Sequence, residues 1–395
     1  MNIILFDNNR AEFYPLSLTR PISYFRIGIL TIKEKWEKYY DSISVHTEKY
    51  LSKKYVLKLE EDNLWINAQI IPNESIITEI NNLRVGESLF KNSTLLAFRS
   101  KDNSSSNLNE ISSNAKFSFL TSITDIFSLN GEEINNDLKR MYSNNDLEWN
   151  TEVKNLEEIK NSNTKIGKNS IYIEKGARLN NCILNTNNGP IYIGKDAEIM
   201  EGSIIRGPFA MCKNSVLKIG AKIYESTTIG PYCKVGGEVN NSVFFGYSSK
   251  AHDGFLGNSI IGEWCNLGAD TNNSNLKNNY DDVKIWNYVV NSFKDTKLQF
   301  CGLIMGDHSK SGINTMFNTG TVVGVGANVF GSGFPRNFIP SFSWGGSSGF
   351  IVHRLEKFFI TAEKVMSRRS ITLSDEDKNI LSFIYDVTKS YRNEK

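Results

Sequence analysis

Cysteine is scarce. Five residues in 395 (182, 212, 233, 265 and 301) make an odd number with no CxxC pair. Neither a disulfide framework nor a zinc site is signalled, and a reduced, cytoplasmic protein is the expectation. Charge of one sign is not in excess either. Forty-five Lys and Arg against 43 Asp and Glu leave a net +2, too little for broad attraction to nucleic acid or an anionic membrane. No apolar run reaches the roughly 18–20 residues of a membrane span. The opening MNIILFDNNR has no basic leader and its apolar run closes on Asp7, so it reads as a buried first strand and not a signal peptide.

What is present is ordinary in bulk. Hydrophobic content of 40% and charged content of 22% describe a globular chain long enough for two or three domains. IILF at 3–6 predicts a central strand, Pro15 and Pro21 mark a loop, and KEKWEKYY predicts a helix with Trp36 and Tyr40 on one face. Residues 1–150 read as an α/β domain and 151–165 as a polar linker.

From 166 the chain repeats itself. Ile193, Ile199 and Ile205 are six apart, and Met305, Ser311, Phe317, Val323 and Val329 keep the same step. A small residue stands four places after most step leaders, as in Ala197, Ser203, Cys233, Cys265, Thr271 and Ala327. Each hexapeptide is then a short strand plus a corner, and three make one triangular coil with the aliphatic on its axis. Cys233 and Cys265 are expected in the core, and Gly324 and Gly326 at corners. The repeat spans 166–345. Beyond it, 350–395 predicts two helices, the first over 351–369 with Val352, Leu355, Phe359, Ala362 and Met366 on one face, the second capped by Ser374.

Within the repeat, Phe255, Ile261 and Leu267 each begin a step, and just before them stands His252, the first histidine since His46. An imidazole titrates near neutrality and suits a general base that takes a proton from an attacking amine. Held on a rigid frame, it is what acyl transfer needs. His308 is a second candidate base, read first as an outward corner residue.

Residues 166–335 resemble the left-handed β-helix, hexapeptide-repeat acyltransferases. KAHDGFLGNSIIGEWCNLGADTNNSN resembles more specifically the acetyltransferase half of the GlmU family, with Lys250, Ala251, His252, Phe255, Leu256, Gly257, Asn266, Leu267, Gly268, Ala269, Thr271 and Asn275 following its active-site segment. One residue is missing between the histidine and Leu256-Gly257, and Phe255 stands where the family has tyrosine. The resemblance implies acetyl transfer from acetyl-CoA to an amino-sugar phosphate such as glucosamine-1-phosphate, with His252 as base. Asn266 and Asn275 would meet the sugar, Lys250 a phosphate, and Phe255 would line the site. Arg206 is the candidate for the family's phosphate-binding arginine, whose usual place is near Gly236. It also implies a homotrimer.

The front of the chain resembles sugar-phosphate nucleotidyltransferases through Arg10, Pro15, Leu16, Arg20 and Pro21. Asp7-Asn8-Asn9 replaces the glycines that would approach a triphosphate, and Ile22 the phosphate-binding lysine. That resemblance makes Arg10 and Arg20 nucleotide-binding candidates, with UTP as substrate and Mg²⁺ required only if the domain is active; no protein metal site is expected. Two alternatives stay open: a nucleotidyltransferase whose β-helix is structural, and a non-catalytic scaffold that binds a sugar nucleotide.

Overall fold

The computed structural model describes residues 2–105, 107–142, 149–151 and 156–392, with only the backbone described at 149–151. Strand Asn2–Phe6 is buried along its whole length, as a run apolar on both faces requires. Ile43–His46 and Asn63–Asn67 flank it in parallel. Thr94–Ser100 and Glu87–Lys91 extend the sheet antiparallel, and Asn109–Ser112 completes its six strands. Helix Ile32–Trp36 is opened by a reciprocal capping box of Thr31 and Glu34, which satisfies two of its free N–H groups. The helix ends at Trp36, short of the expected KEKWEKYY run, and Tyr40, beyond its end, stacks on Trp36.

From Thr164 the chain winds into a left-handed parallel β-helix whose three faces carry nine, nine and six strands in continuous ladders. The third is taken up again by Asn272–Asn273 with Met316–Phe317. Gly349–Val352, expected at the start of a helix, instead closes one face as an antiparallel strand. Ile193, Ile199, Ile205, Met211, Leu217, Ile223, Ile229 and Val235 fill the lumen at six-residue intervals, all 2% exposed or less. Burying each such side chain contributes roughly 1.5–3 kcal/mol, so stability accumulates coil by coil. The step then shortens. Val239, Phe244, Leu256 and Ile261 are the next aliphatic and aromatic lumenal residues, and Lys250 lies between them, paired in register with Val235. Leu256, not Phe255, therefore leads its step; Phe255 is half-buried outside. A strict six-residue count misses this because 235–239 advances by four and 239–244 and 256–261 by five.

Two of the prism's outer surfaces are covered. Val243, Phe245, Ile260, Ile304 and Val322 point outward from one face and share a core with Ile3, Leu5 and Phe25 of the α/β domain. One corner carries a column of left-handed residues, Tyr232, Tyr247, Trp264 and His308, with φ between 56° and 61°. Their rings stack coil on coil, at 5.0, 4.3 and 6.3 Å between successive centroids. Gly326 leaves the next place vacant. A Cβ there would come within 2.9 Å of the Phe358 ring, which fills the gap from helix Leu355–Ser367. The second C-terminal helix, Asp375–Val387, starts as expected: Ser374 accepts from the Asp377 N–H at 3.1 Å.

Of the expected linker at 151–165, residues 152–155 lie outside the described residues. Beyond them Leu156–Ser162 is an α-helix, and Ile159 is buried against the first coils of the lumen. A long excursion separates Asn273 from Ile304 and contains an antiparallel hairpin, Lys284–Asn287 with Ser292–Asp295.

Candidate active site

His252 sits on the turn between strands Ser249–Lys250 and Phe255–Gly257, with its side chain exposed. The backbone beneath it is tied down. The Lys250 carbonyl accepts from Gly236 N–H at 2.7 Å, the Asp253 carbonyl from Asp270 N–H at 3.0 Å, and the Gly254 carbonyl from Glu238 N–H at 3.3 Å. The His252 carbonyl accepts from the Lys250 ammonium at 2.9 Å. Gly254 has φ of 117°, and a Cβ there would lie 2.3 Å from the Thr271 carbonyl, so only glycine lets the turn lie so close to the next coil.

Lys250 is 1% exposed. It occupies a lumenal position, and its ammonium donates to the Gly236 carbonyl at 3.0 Å as well as to His252. Burial lowers its pKa to about 8, against the opposing pull of Asp253 and Asp270. It is not at the surface, where a substrate phosphate would meet it.

Next to this turn one face of the prism comes apart. The six-stranded sheet ends at Phe255–Gly257, and Asn272–Asn273 pairs only with the strand after it. Side chains bridge the break. Phe255 N–H donates to Asn272 Oδ1 at 2.7 Å and Gly257 N–H to Asn273 Oδ1 at 2.9 Å, while Asn273 Nδ2 donates to the Gly257 carbonyl at 3.1 Å. Asn275 donates to Asn258 Oδ1 at 2.7 Å. Asn266 is exposed on the coil above, opposite Ser249. The structure thus brings His252, Phe255 and Asn275 to one turn and the adjoining break, with Asn266 one strand away.

The other candidates lie elsewhere. Arg206 is three strands from Phe255 in the same sheet, on the order of 14 Å at the usual strand spacing, and pairs with Glu225 at 2.7 Å. Arg10 is buried among Asp7, Thr47, Tyr50 and the Ser17 carbonyl. Arg20 leaves its domain altogether to bind Asp307 and, at 2.8 Å, Glu263 of the β-helix. His308 is at a corner, as expected, but buried and not outward. Burial, with Lys310 adding to it, pushes its pKa down to about 3. Burial also raises the Cys265 thiol to about 12, and Cys233 is raised the same way, so both are inert core residues.

Asn258, Asn272 and Asn273 are the site residues that sequence reasoning passed over. The signal was there at 273, where a polar residue stands in a lumenal slot.

In the α/β domain a cavity of about 750 Å³ opens at the ends of the parallel strands, lined by Asp7, Asn9, Glu12, Gln69 and, from the β-helix hairpin, Lys294. Ligand crevices lie at such strand ends in α/β sheets. The Asp7 carboxylate is already engaged by Arg10, by Thr47 and by the Ile22 N–H at 2.9 Å. Among the described residues no group of three or more His, Cys, Asp or Glu side chains is placed to hold a metal ion.

The search of the curated proteins found no match. Among solved structures, the Arabidopsis UDP-N-acetylglucosamine acyltransferase is similar at 14% identity over 59% of this chain and 93% of that one, with a TM-score of 0.22. The polysialic acid O-acetyltransferase OatWY is similar at 17% identity over 48% of this chain and 88% of that one, also at 0.22. Residues 3–146 match the model of a family described as sugar nucleotidyl transferase.

Proposed function

We propose that the β-helix transfers an acyl group, acetyl in the first instance, from a CoA thioester to the amine of an amino-sugar phosphate such as glucosamine-1-phosphate. The observation that carries this reading is the exposed His252 imidazole on a turn whose carbonyls are tied to neighbouring coils and to Lys250. A base held this way loses little freedom when it meets its substrate, which is where much of the rate of an acyl transfer arises. His252 takes the amine proton as the nitrogen attacks the thioester carbonyl. The tetrahedral intermediate collapses with loss of the thiolate, and the proton passes to that leaving group. No serine or cysteine nucleophile is needed. Asn275 and Asn266 are the residues assigned to the sugar hydroxyls. In this reading the protein is a cytoplasmic homotrimer, which light scattering of the purified chain tests.

Thiol release is the test of the chemistry. The protein is mixed with acetyl-CoA and glucosamine-1-phosphate, and free CoA is followed over time beside His252→Ala. Release by the native chain and its loss in the variant is expected. Equal release by both sinks the assignment of the base.

A second reading is favoured by the family match over 3–146 and the cavity at the strand ends: nucleotidyl transfer to a sugar phosphate in the α/β domain. The donor set does not fit a protein-held Mg²⁺, because Asp7 is engaged within the fold, and we derive no metal-assisted step. Pyrophosphate release from UTP and N-acetylglucosamine-1-phosphate, undiminished in His252→Ala, would establish this activity as separate.

A further inference from the structure

The hairpin that leaves the β-helix after Asn273 has two faces, as any strand pair must. One face is accounted for. Ile285 is buried in the core shared with the α/β domain, and Asn287 and Lys294 both reach Glu12, at 2.7 and 3.3 Å. The alternate residues, Lys284, Trp286 and Phe293, face away from that contact. They line a cleft of about 900 Å³ together with Phe338 from the last coils and Tyr391 near the C-terminus. The volume is that of a small-molecule site.

Two features of this cleft set its chemistry. The first is an aromatic wall. Trp286 lies parallel to Phe338, with ring centroids 4.3 Å apart and planes within 8°. Phe293 stands edge-on to Trp286 at 5.5 Å, and Tyr391 edge-on to Phe338 at 5.9 Å. Phe293 remains 46% exposed, a large apolar surface left open on a strand of otherwise polar residues. The second is charge. Lys277, Lys284 and Arg336 line the cleft, and among the described residues no carboxylate does. The carboxylate nearest in sequence register is Asp295, opposite Lys284 on the hairpin. Its pKa is lowered first by the Lys297 N–H and then by Lys297, Lys284 and Lys277. Three cations against one carboxylate leave the mouth positive.

We propose that this cleft binds a nucleoside diphosphate group, its base stacked on the Phe293–Trp286–Phe338 wall and its two phosphates on Lys284 and Arg336, with Lys277 beside them. An aromatic platform attracts any heteroaromatic ring through its face, while ammonium and guanidinium groups select phosphates. A neutral sugar satisfies only the wall, and inorganic pyrophosphate only the cations. The site is distinct from the strand-end cavity of the α/β domain, from which the hairpin separates it, and does not depend on acyl transfer by His252.

Calorimetric titration of the full chain with UDP, ADP and inorganic pyrophosphate tests the assignment. Saturable binding of both nucleotides is expected, with pyrophosphate weaker by about tenfold or more for want of stacking. Arg336→Glu and Lys284→Glu should each raise the nucleotide Kd by about tenfold or more, the loss of a charge-assisted contact. Phe293→Ala should weaken UDP and ADP but leave pyrophosphate unchanged. Lys284, Phe293 and Arg336 are exposed, so the variants are expected to melt with the native chain, which a thermal scan verifies. No nucleotide binding at millimolar concentration overturns the proposal. So does binding that all three variants retain, which would place the nucleotide in the α/β domain, or pyrophosphate bound as tightly as UDP.

Discussion

The Lys250 ammonium, inside the β-helix, donates to the carbonyl of His252, two residues along the chain and outside it. A charge buried in an apolar lumen carries a large desolvation cost, visible in the lowered pKa of about 8. What it gains is a fixed position for the turn that carries the candidate base. Replacing it with the apolar, unbranched methionine should therefore separate stability from activity. Lys250→Met removes a buried charge with its desolvation but leaves the buried Gly236 carbonyl without the ammonium, so the two effects oppose and the melting temperature is expected to stay within a few degrees of the native value. Its CoA release should fall by about tenfold or more in kcat with little change in KM, because the base is present but less well placed. A variant that is destabilised and fully active would contradict this role.

Asn273 takes the place of a strand. Its side chain satisfies both the N–H and the carbonyl of Gly257 where the ladder is broken, at 4% exposure. Asn273→Val leaves the Gly257 N–H buried without a partner, while the carbonyl keeps the Ser259 hydroxyl at 2.7 Å, so the cost is about 1–3 kcal/mol. Urea denaturation should register a loss on the order of 2 kcal/mol, and hydrogen exchange should report faster opening at Gly257 than in coils 193–235. An unchanged midpoint would mean that the coils close up when the amide is removed.

That residue also marks the limit of what the sequence discloses. The hexapeptide period at 193–235 is regular because each lumenal slot wants an aliphatic and each tight corner a small residue, so the fold was legible there. The same rule hides the site. Lys250 and Asn273 stand in lumenal slots, and a composition rich in Lys and Asn makes each look like a solvated residue. The five-residue step at 256–261 shifts the count by one, so counting back six from Ile261 places Phe255 inward in place of Leu256. Arg20 was unreadable for another reason: its partners, Asp307 and Glu263, are more than 240 residues away and only the folded chain brings them together.

Arg20 joins the two domains. Burial works against its charge, but Asp307 and then Glu263 hold its pKa above the ordinary arginine value. Asp307 also accepts from Thr19 Oγ1 at 2.8 Å and from the Glu263 N–H at 2.8 Å. Arg20→Met leaves the buried Asp307 carboxylate without its cation and should cost about 3–5 kcal/mol by thermal or urea unfolding. Adding Asp307→Asn should return a large part of that loss. If the double variant is as unstable as the single one, packing of the arginine stem and not charge is what the interface needs.

His308 makes stability depend on pH. In the folded chain it is neutral down to about 3, against an ordinary imidazole value of 6.5, first because it is buried and then because Lys310 is near; Asp377 and Glu263 oppose the shift without cancelling it. Between those two values the unfolded chain holds a proton that the folded chain does not, so stability rises with pH across this window and falls as acid is added. The slope for one proton is about 1.4 kcal/mol per pH unit. Carboxylates titrate in the same range, so the measurement is a difference. His308→Asn keeps a residue tolerant of φ near 61° and removes the imidazole. Unfolding followed from pH 7 to pH 4 should show a shallower loss in the variant than in the native chain. Its stability relative to the native chain should therefore improve steadily as the pH drops. Parallel curves would mean that His308 takes up a proton in place, and that the ring stack of Trp264 and Phe358 accommodates the charge.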